Sequence, residues 1–331
     1  MKRLLLTPIV CLSVVLVRGY ATAGEWQVAV QQGDLQRVQD LLAYGIDINA
    51  SDDHGRTALH LAVLQKAKPL MELLLHNGAQ VNVHDKDGNT PLHLAAESGE
   101  VDFVTLLLTH RADVHARNSQ HWTTVFSVEE DGNLEIVNLL NPIEPQAELS
   151  EYRGETPLHR AAYSGSEAVV RLLLTHHAEA NAKNEYNQQT PLHLAVGQGN
   201  PEVVTMLLAY GAEVNALVAC SLTLPAKKRY LLTPLHLAAL AGHATVTELL
   251  LQHQADVNRP VQAEAIAPTA SMKVATGRYY RLEELEDLTA LTPLHFAVFM
   301  GEAEVATLLI KYGADPNAQD LFGKAGNILC E

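Results

Sequence analysis

The 331 residues carry a formal charge of −15, with 47% hydrophobic and 18% charged side chains. That balance excludes a disordered chain, and so acidic a surface argues against nucleic acid as a partner. Five Phe and two Trp point to a core of Leu, Val and Ala layers, and three Cys are too few for a disulfide scaffold.

In chain order the first element is a targeting segment. Met1-Lys2-Arg3 is followed by the uncharged run Leu4 to Val17 and then by Arg18-Gly19-Tyr20-Ala21-Thr22-Ala23. A basic start, a short apolar stretch and a small-x-small end predict a signal peptide over 1–23, cleaved after Ala23. The run is short for a bilayer, so an uncleaved anchor is the alternative. Lipidation at Cys11 is disfavoured by Val10, where a small residue is wanted. Losing Lys2, Arg3 and Arg18 takes the formal charge from −15 to −18. Export to a periplasm or beyond the cell is therefore the expected localisation, with no stable membrane insertion after cleavage. Cys220 and Cys330, the two cysteines left, lie too far apart in the repeat frame to pair internally.

The chain from residue 24 onward is organised by a phrase. Thr90-Pro91-Leu92-His93 recurs from Thr156, Thr190, Thr233 and Thr292, and with Ala for Pro from Thr57. Thr is a good N-cap, Pro suits the first helical position, and Gly99 closes a helix of about two turns. A helix that short needs neighbours. A second helix follows each phrase, and then a turn of the form Gly-Ala-x-Val-Asn, as in Gly78 to Asn82. Thr57, Thr90, Thr123 and Thr156 are spaced by 33 residues and Thr190 follows after 34.

This period, phrase and helix pair resemble the ankyrin repeat. The resemblance implies an all-α solenoid of about eight helix-turn-helix repeats with β-hairpin fingers. It also implies binding of other macromolecules without chemistry or a cofactor. The repeats fall near 24–50, 51–83, 84–116, 117–150, 151–182, 183–216, 217–259 and 260–318. The first lacks the phrase and reads as a polar cap, with Trp26 in the Leu position. The fourth is worn: Thr123-Thr124-Val125-Phe126 replaces the phrase and Pro142 interrupts the turn, but its length predicts a repeat with an altered turn. Thr190 to Thr233 is 43 residues and Thr233 to Thr292 is 59, excesses of 10 and 26 over the period. Both excesses fall where the family places a finger, so insertions within 217–232 and 260–291 predict two enlarged fingers, side by side.

Catalytic signatures are missing from the sequence: no Gly-rich phosphate loop, no Cys-x-x-Cys, no His-Glu-x-x-His, no Gly-x-Ser-x-Gly. The chain reads as a non-enzyme. Of the sixteen His, six belong to the phrase (His60, His93, His159, His193, His236, His295) and by the resemblance tie neighbouring repeats through Thr and backbone bonds. A second column, with His110, His176 and His253, precedes the turn position usually held by Gly and reads as a lid on the helix end; it lacks ligand spacing for a metal.

The resemblance places the two residues before each inter-helix Gly on a concave groove. That series begins polar at Gln31-Gln32 and Glu97-Ser98 and becomes apolar at Leu240, Phe299 and Met300, with Tyr163 midway. These four residues are the predicted anchors, although the second insertion could equally fold back and bury them. The enlarged fingers supply a basic wall from Lys227, Lys228, Arg229, Lys273, Arg278 and Arg281. Finger tips add Trp122, Tyr152 and Tyr186. The expected partner of this monomer is a protein, and the acidic body suits one with a basic surface. An immunity or inhibitor protein against a toxic enzyme, a periplasmic accessory to an antioxidant enzyme, a secreted host-directed effector and a membrane-tethered scaffold are the roles consistent with these features.

Overall fold

The computed structural model describes residues 23–118, 154–185, 187–220, 228–265 and 288–319. Within them the chain forms α1 (Ala23–Gln32), α2 (Leu35–Ala43), α3 (Ala58–Leu64), α4 (Lys68–His76), α5 (Pro91–Ser98), α6 (Val101–Thr109), α7 (Pro157–Ser164), α8 (Glu167–Thr175), α9 (Pro191–Gln198) and α10 (Pro201–Ala209). Strands β1 (Val218–Cys220) and β2 (Lys228–Leu232) precede α11 (Pro234–Ala241) and α12 (Ala244–Gln252). Strand β3 (Gln262–Ala265), α13 (Pro293–Met300) and α14 (Ala303–Lys311) complete the order. The odd-numbered helices stack on one another as an inner row, and the even-numbered ones form an outer row. One continuous core of Leu, Val and Ala runs through the stack from Trp26 to Ala314.

The phrase works as its chemistry predicts. In α3, α5, α7, α9, α11 and α13 the N-cap Thr and the His three residues later form a reciprocal capping box. Nδ1 of His60 accepts the Thr57 N–H at 3.2 Å, so its proton sits on Nε2, which donates to the Asn89 carbonyl of the next unit at 3.0 Å. His159 donates likewise to Gln189. The turn asparagines form a second ladder: Asn49, Asn82, Asn181, Asn215 and Asn258 each accept a backbone N–H from the turn of the following unit.

Three turns carry a side chain where the others carry Gly. Arg111, His177 and Gln254 stand at φ 65°, 65° and 64°, and the matching Gly78 and Gly211 at 83° and 84°. A left-handed residue with a Cβ is disfavoured by roughly 1–2 kcal/mol, of which the greater freedom of unfolded Gly returns about 0.5–1 kcal/mol. Replacing each of the three by Gly is expected to raise stability by about 0.5 kcal/mol, visible as a higher urea midpoint. A lower midpoint for all three would mean that these side chains make contacts of their own.

Most of the fourth predicted repeat, residues 119–153, lies outside the described part, and the described helices on either side of it meet directly: α5 packs on α7 and α6 on α8. His93 donates to the carbonyl of Glu155 at 3.0 Å, the place His60 gives to Asn89. The finger closes in the same way. Asp85 N–H donates to Asn89 O and Gly88 N–H to Asp85 O; Asn118 N–H donates to Glu155 O and Gly154 N–H to Asn118 O. A Cβ on Gly55 would lie 2.9 Å from Lys86 N, and one on Gly154 2.8 Å from Glu185 N, so both glycines serve the same close approach to the next finger. An ordinary finger places two residues between its Asp and its Gly, and here 35 separate Asn118 from Gly154, an excess of 33. The excess equals one period, and the described layers number seven helix pairs.

Candidate interaction surface

The concave face is set by the inner helices, whose Thr+4 and Thr+7 positions look away from the outer row. At Thr+4 stand Leu61, Leu94, Arg160, Leu194, Leu237 and Phe296, and at Thr+7 Leu64, Glu97, Tyr163, Gly197, Leu240 and Phe299. Their burial divides the groove. Leu61 and Leu94 are half-buried and Leu64 is 47% exposed, but Leu194, Leu237 and Phe296 are buried and Leu240 is 3% exposed. The same residue type in the same position of the unit is thus open in one half of the stack and sealed in the other.

The two enlarged fingers meet as predicted, in one sheet of order β1-β2-β3. Val218 pairs with Leu232 and Cys220 with Tyr230, and across the second junction Arg229 pairs with Glu264 and Tyr230 with Ala263, both antiparallel. Ala219 N–H donates to Asn187 O of the preceding finger, and β2 lies against α11. Val261, at the start of the second insertion, exchanges backbone bonds with Ala290 and Leu291, and Val261, Leu288 and Leu291 are all buried. The ends of that insertion are therefore part of the core.

The predicted anchors fare unequally. Tyr163, Phe299 and Met300 are half-buried and packed against the core. Leu240 is inside it, because it is enclosed among the apolar side chains of the sealed half, and is withdrawn as a contact. Arg229 is half-buried on β2 with Glu264 opposite, so at this point the wall is a pair of opposite charges rather than a basic surface. Lys228 is in β2. Lys227, Lys273, Arg278, Arg281, Trp122, Tyr152 and Tyr186 lie outside the described residues. Leu64 belongs to the groove series read from the sequence but is not among the predicted anchors; its apolar side chain at a groove position was the available signal.

Sequence reasoning missed a buried pair of opposite charges in the stack. Arg160 occupies the Thr+4 place that is Leu or Phe in every other phrase. Its Nε lies 3.0 Å from Glu155 Oε2 and its Nη1 3.8 Å from Glu97 Oε2, with side-chain exposures of 7% for Arg160 and 2% for Glu155. Burial pushes the Glu155 carboxyl up to about 7, against the pull of Arg160. The phrase histidines move the other way: burial lowers His93 and His193 to about 3 and His159 and His236 to about 4. They are neutral hydrogen-bonding parts of the stack. In the outer column, Nδ1–H of His110, His176 and His253 each donates to a carbonyl four residues back at 2.9 Å, the predicted helix-end lid. Among the described residues no group of three or more His, Cys, Asp or Glu is placed to hold a metal ion.

The sequence model of ankyrin repeats, in three copies, matches residues 26–118, 125–218 and 224–320. The chain belongs to the ankyrin-repeat family. The human ASB11 ankyrin repeat domain is similar in fold, with a TM-score of 0.55 and 24% identity over 82% of this chain and 90% of that one. No curated protein matches the sequence. Ankyrin-repeat proteins are protein–protein interaction modules, generally non-enzymatic, and the open half of this groove leaves Leu64 exposed to solvent. Among its described residues no helix is long and apolar enough to cross a membrane.

Proposed function

We propose that this ankyrin-repeat protein is an exported, non-enzymatic immunity or inhibitor protein, which binds a toxic enzyme through its concave groove and fingers. Export rests on the basic start, apolar run and small-x-small end of residues 1–23. A basic partner surface follows from the formal charge of −15, which steers such a partner at long range. The observation that carries the reading is the divided groove: an open floor at Leu61, Leu64, Leu94 and Tyr163 adjoining a wall built from both enlarged fingers. A convex or fully sealed stack would present no such concavity.

The partner is captured from the native compartment with the full chain and identified by mass spectrometry; its affinity is then measured by surface plasmon resonance. Leu64→Ala with Tyr163→Ala is expected to weaken binding by about 2 kcal/mol or more, chiefly through faster dissociation. Tyr44→Ala is the control, since Tyr44 is 66% exposed at the far end of α2. An inhibitor lowers the activity of the captured enzyme in proportion to occupancy. Enhanced activity would instead make this protein an accessory, and loss of binding in the Tyr44 variant alone would move the site off the groove.

A further inference from the structure

The contact between the Thr90 and Thr156 units differs in kind from the others. Elsewhere an apolar Thr+4 side chain and a turn Asn link neighbours; here Arg160 stands for the Leu, and His115 for the Asn. In their place is a set of polar links. Glu155 pairs with Arg160, Arg160 reaches Glu97, and Asn118 Nδ2 donates to Asn89 Oδ1 at 3.1 Å. Arg117 Nη1 donates to the carbonyls of Gly154 and Lys183 at 3.1 and 2.7 Å. On the helix side, the Ser164 hydroxyl donates to Ala96 O; the Ser166 hydroxyl donates to Gly99 O as Asn200 Nδ2 does to Gly165 O at the next contact.

We propose that this polar set is a register-selecting joint, which mates the Thr90 unit with the Thr156 unit. The reasoning is one of specificity. Every unit offers its neighbour nearly the same apolar face, so shape and burial alone choose poorly between partners one period apart. A buried charge cannot be matched by an apolar alternative, and mismatching it leaves it unpaired. Buried polar groups set register in coiled coils for the same reason. Arg117 and Asn118 precede residues 119–153 in the chain, and Glu155 and Arg160 follow them, so the recognition joins segments distant in sequence.

A cysteine pair reads the joint directly. A Cβ on Gly99 would lie 3.3 Å from Ser166 Cβ, close to the separation a disulfide needs. In the full chain with Cys11, Cys220 and Cys330 replaced by Ser, Gly99→Cys with Ser166→Cys is expected to cross-link nearly completely in a glutathione buffer. In an unbroken stack these positions are two layers apart, roughly 20 Å, and no intramolecular bond forms; that result would overturn the proposal. Glu155→Asn with Arg160→Leu recreates the Asn89 and Leu94 of the preceding unit. In that background the disulfide is expected to form at least threefold more slowly, with helical content retained, and to regain its rate when residues 121–153 are also deleted. An unchanged rate in the presence of 121–153 would show that the polar set does not select the register. The uncharged pair Glu155→Gln with Arg160→Met repeats the measurement should the first variant fail to fold.

Discussion

Lowering the pH from 7.5 to about 5 is expected to unfold this protein, with the transition beginning above the range in which its carboxylates are protonated. The buried phrase histidines accept the Thr N–H at Nδ1, so a second ring proton would face a donor. His93, His159, His193 and His236 are held at about 3 to 4 in the folded chain and return to 6.5 on unfolding. Between those values the unfolded state binds protons that the folded state refuses. Their contribution is therefore complete above pH 6.5 and is lost as the pH falls toward 4. One pH unit below 6.5, each costs about 1.4 kcal/mol, and the four together about 6 kcal/mol, comparable with the stability of a domain. His60, also lowered, adds in the same direction. Glu155 acts oppositely: raised to about 7, its contribution is present below pH 4.5 and lost as the pH rises through 7. One group against five does not reverse the sign. Urea titrations followed by circular dichroism at pH 7.5, 6.5 and 5.5 check this. Equal midpoints at the three values would mean that the histidines are not linked to folding.

The second large effect is expected from Arg160→Ala. It leaves Glu155, 2% exposed, without its guanidinium partner at 3.0 Å. Breaking a buried pair from one side typically costs 3–5 kcal/mol. Because solenoid stability is a sum of local terms, the loss falls on one joint, and the stack is expected to melt in two steps, with the blocks before Asn118 and after Gly154 separating. Arg160→Leu combined with Glu155→Asn removes both charges and is expected to be near neutral, since apolar replacement of a buried pair often is. Calorimetry distinguishes the cases: a single unchanged transition for Arg160→Ala would show that the pair contributes nothing to cohesion.

What the sequence determined by itself are the features that live within one unit. The Thr cap, the His box, the left-handed turn and the short helix are fixed by neighbours fewer than ten residues away. The capping boxes of the six described phrases therefore form as expected, and the two enlarged fingers pair in one sheet. What only the tertiary structure decided are choices between distant units. Which unit stacks on the Thr90 unit is not legible from spacing, because a whole extra period leaves every local motif unchanged: Asn118 finds in Gly154 and Glu155 the same finger closure that Asp85 finds in Gly88 and Asn89. The groove teaches the same lesson. Leu64 and Leu240 share residue type and position, yet one is 47% exposed and the other 3%. Exposure is set by what arrives from other layers, and Leu240 lies in the half where both fingers pair into a sheet and join the core.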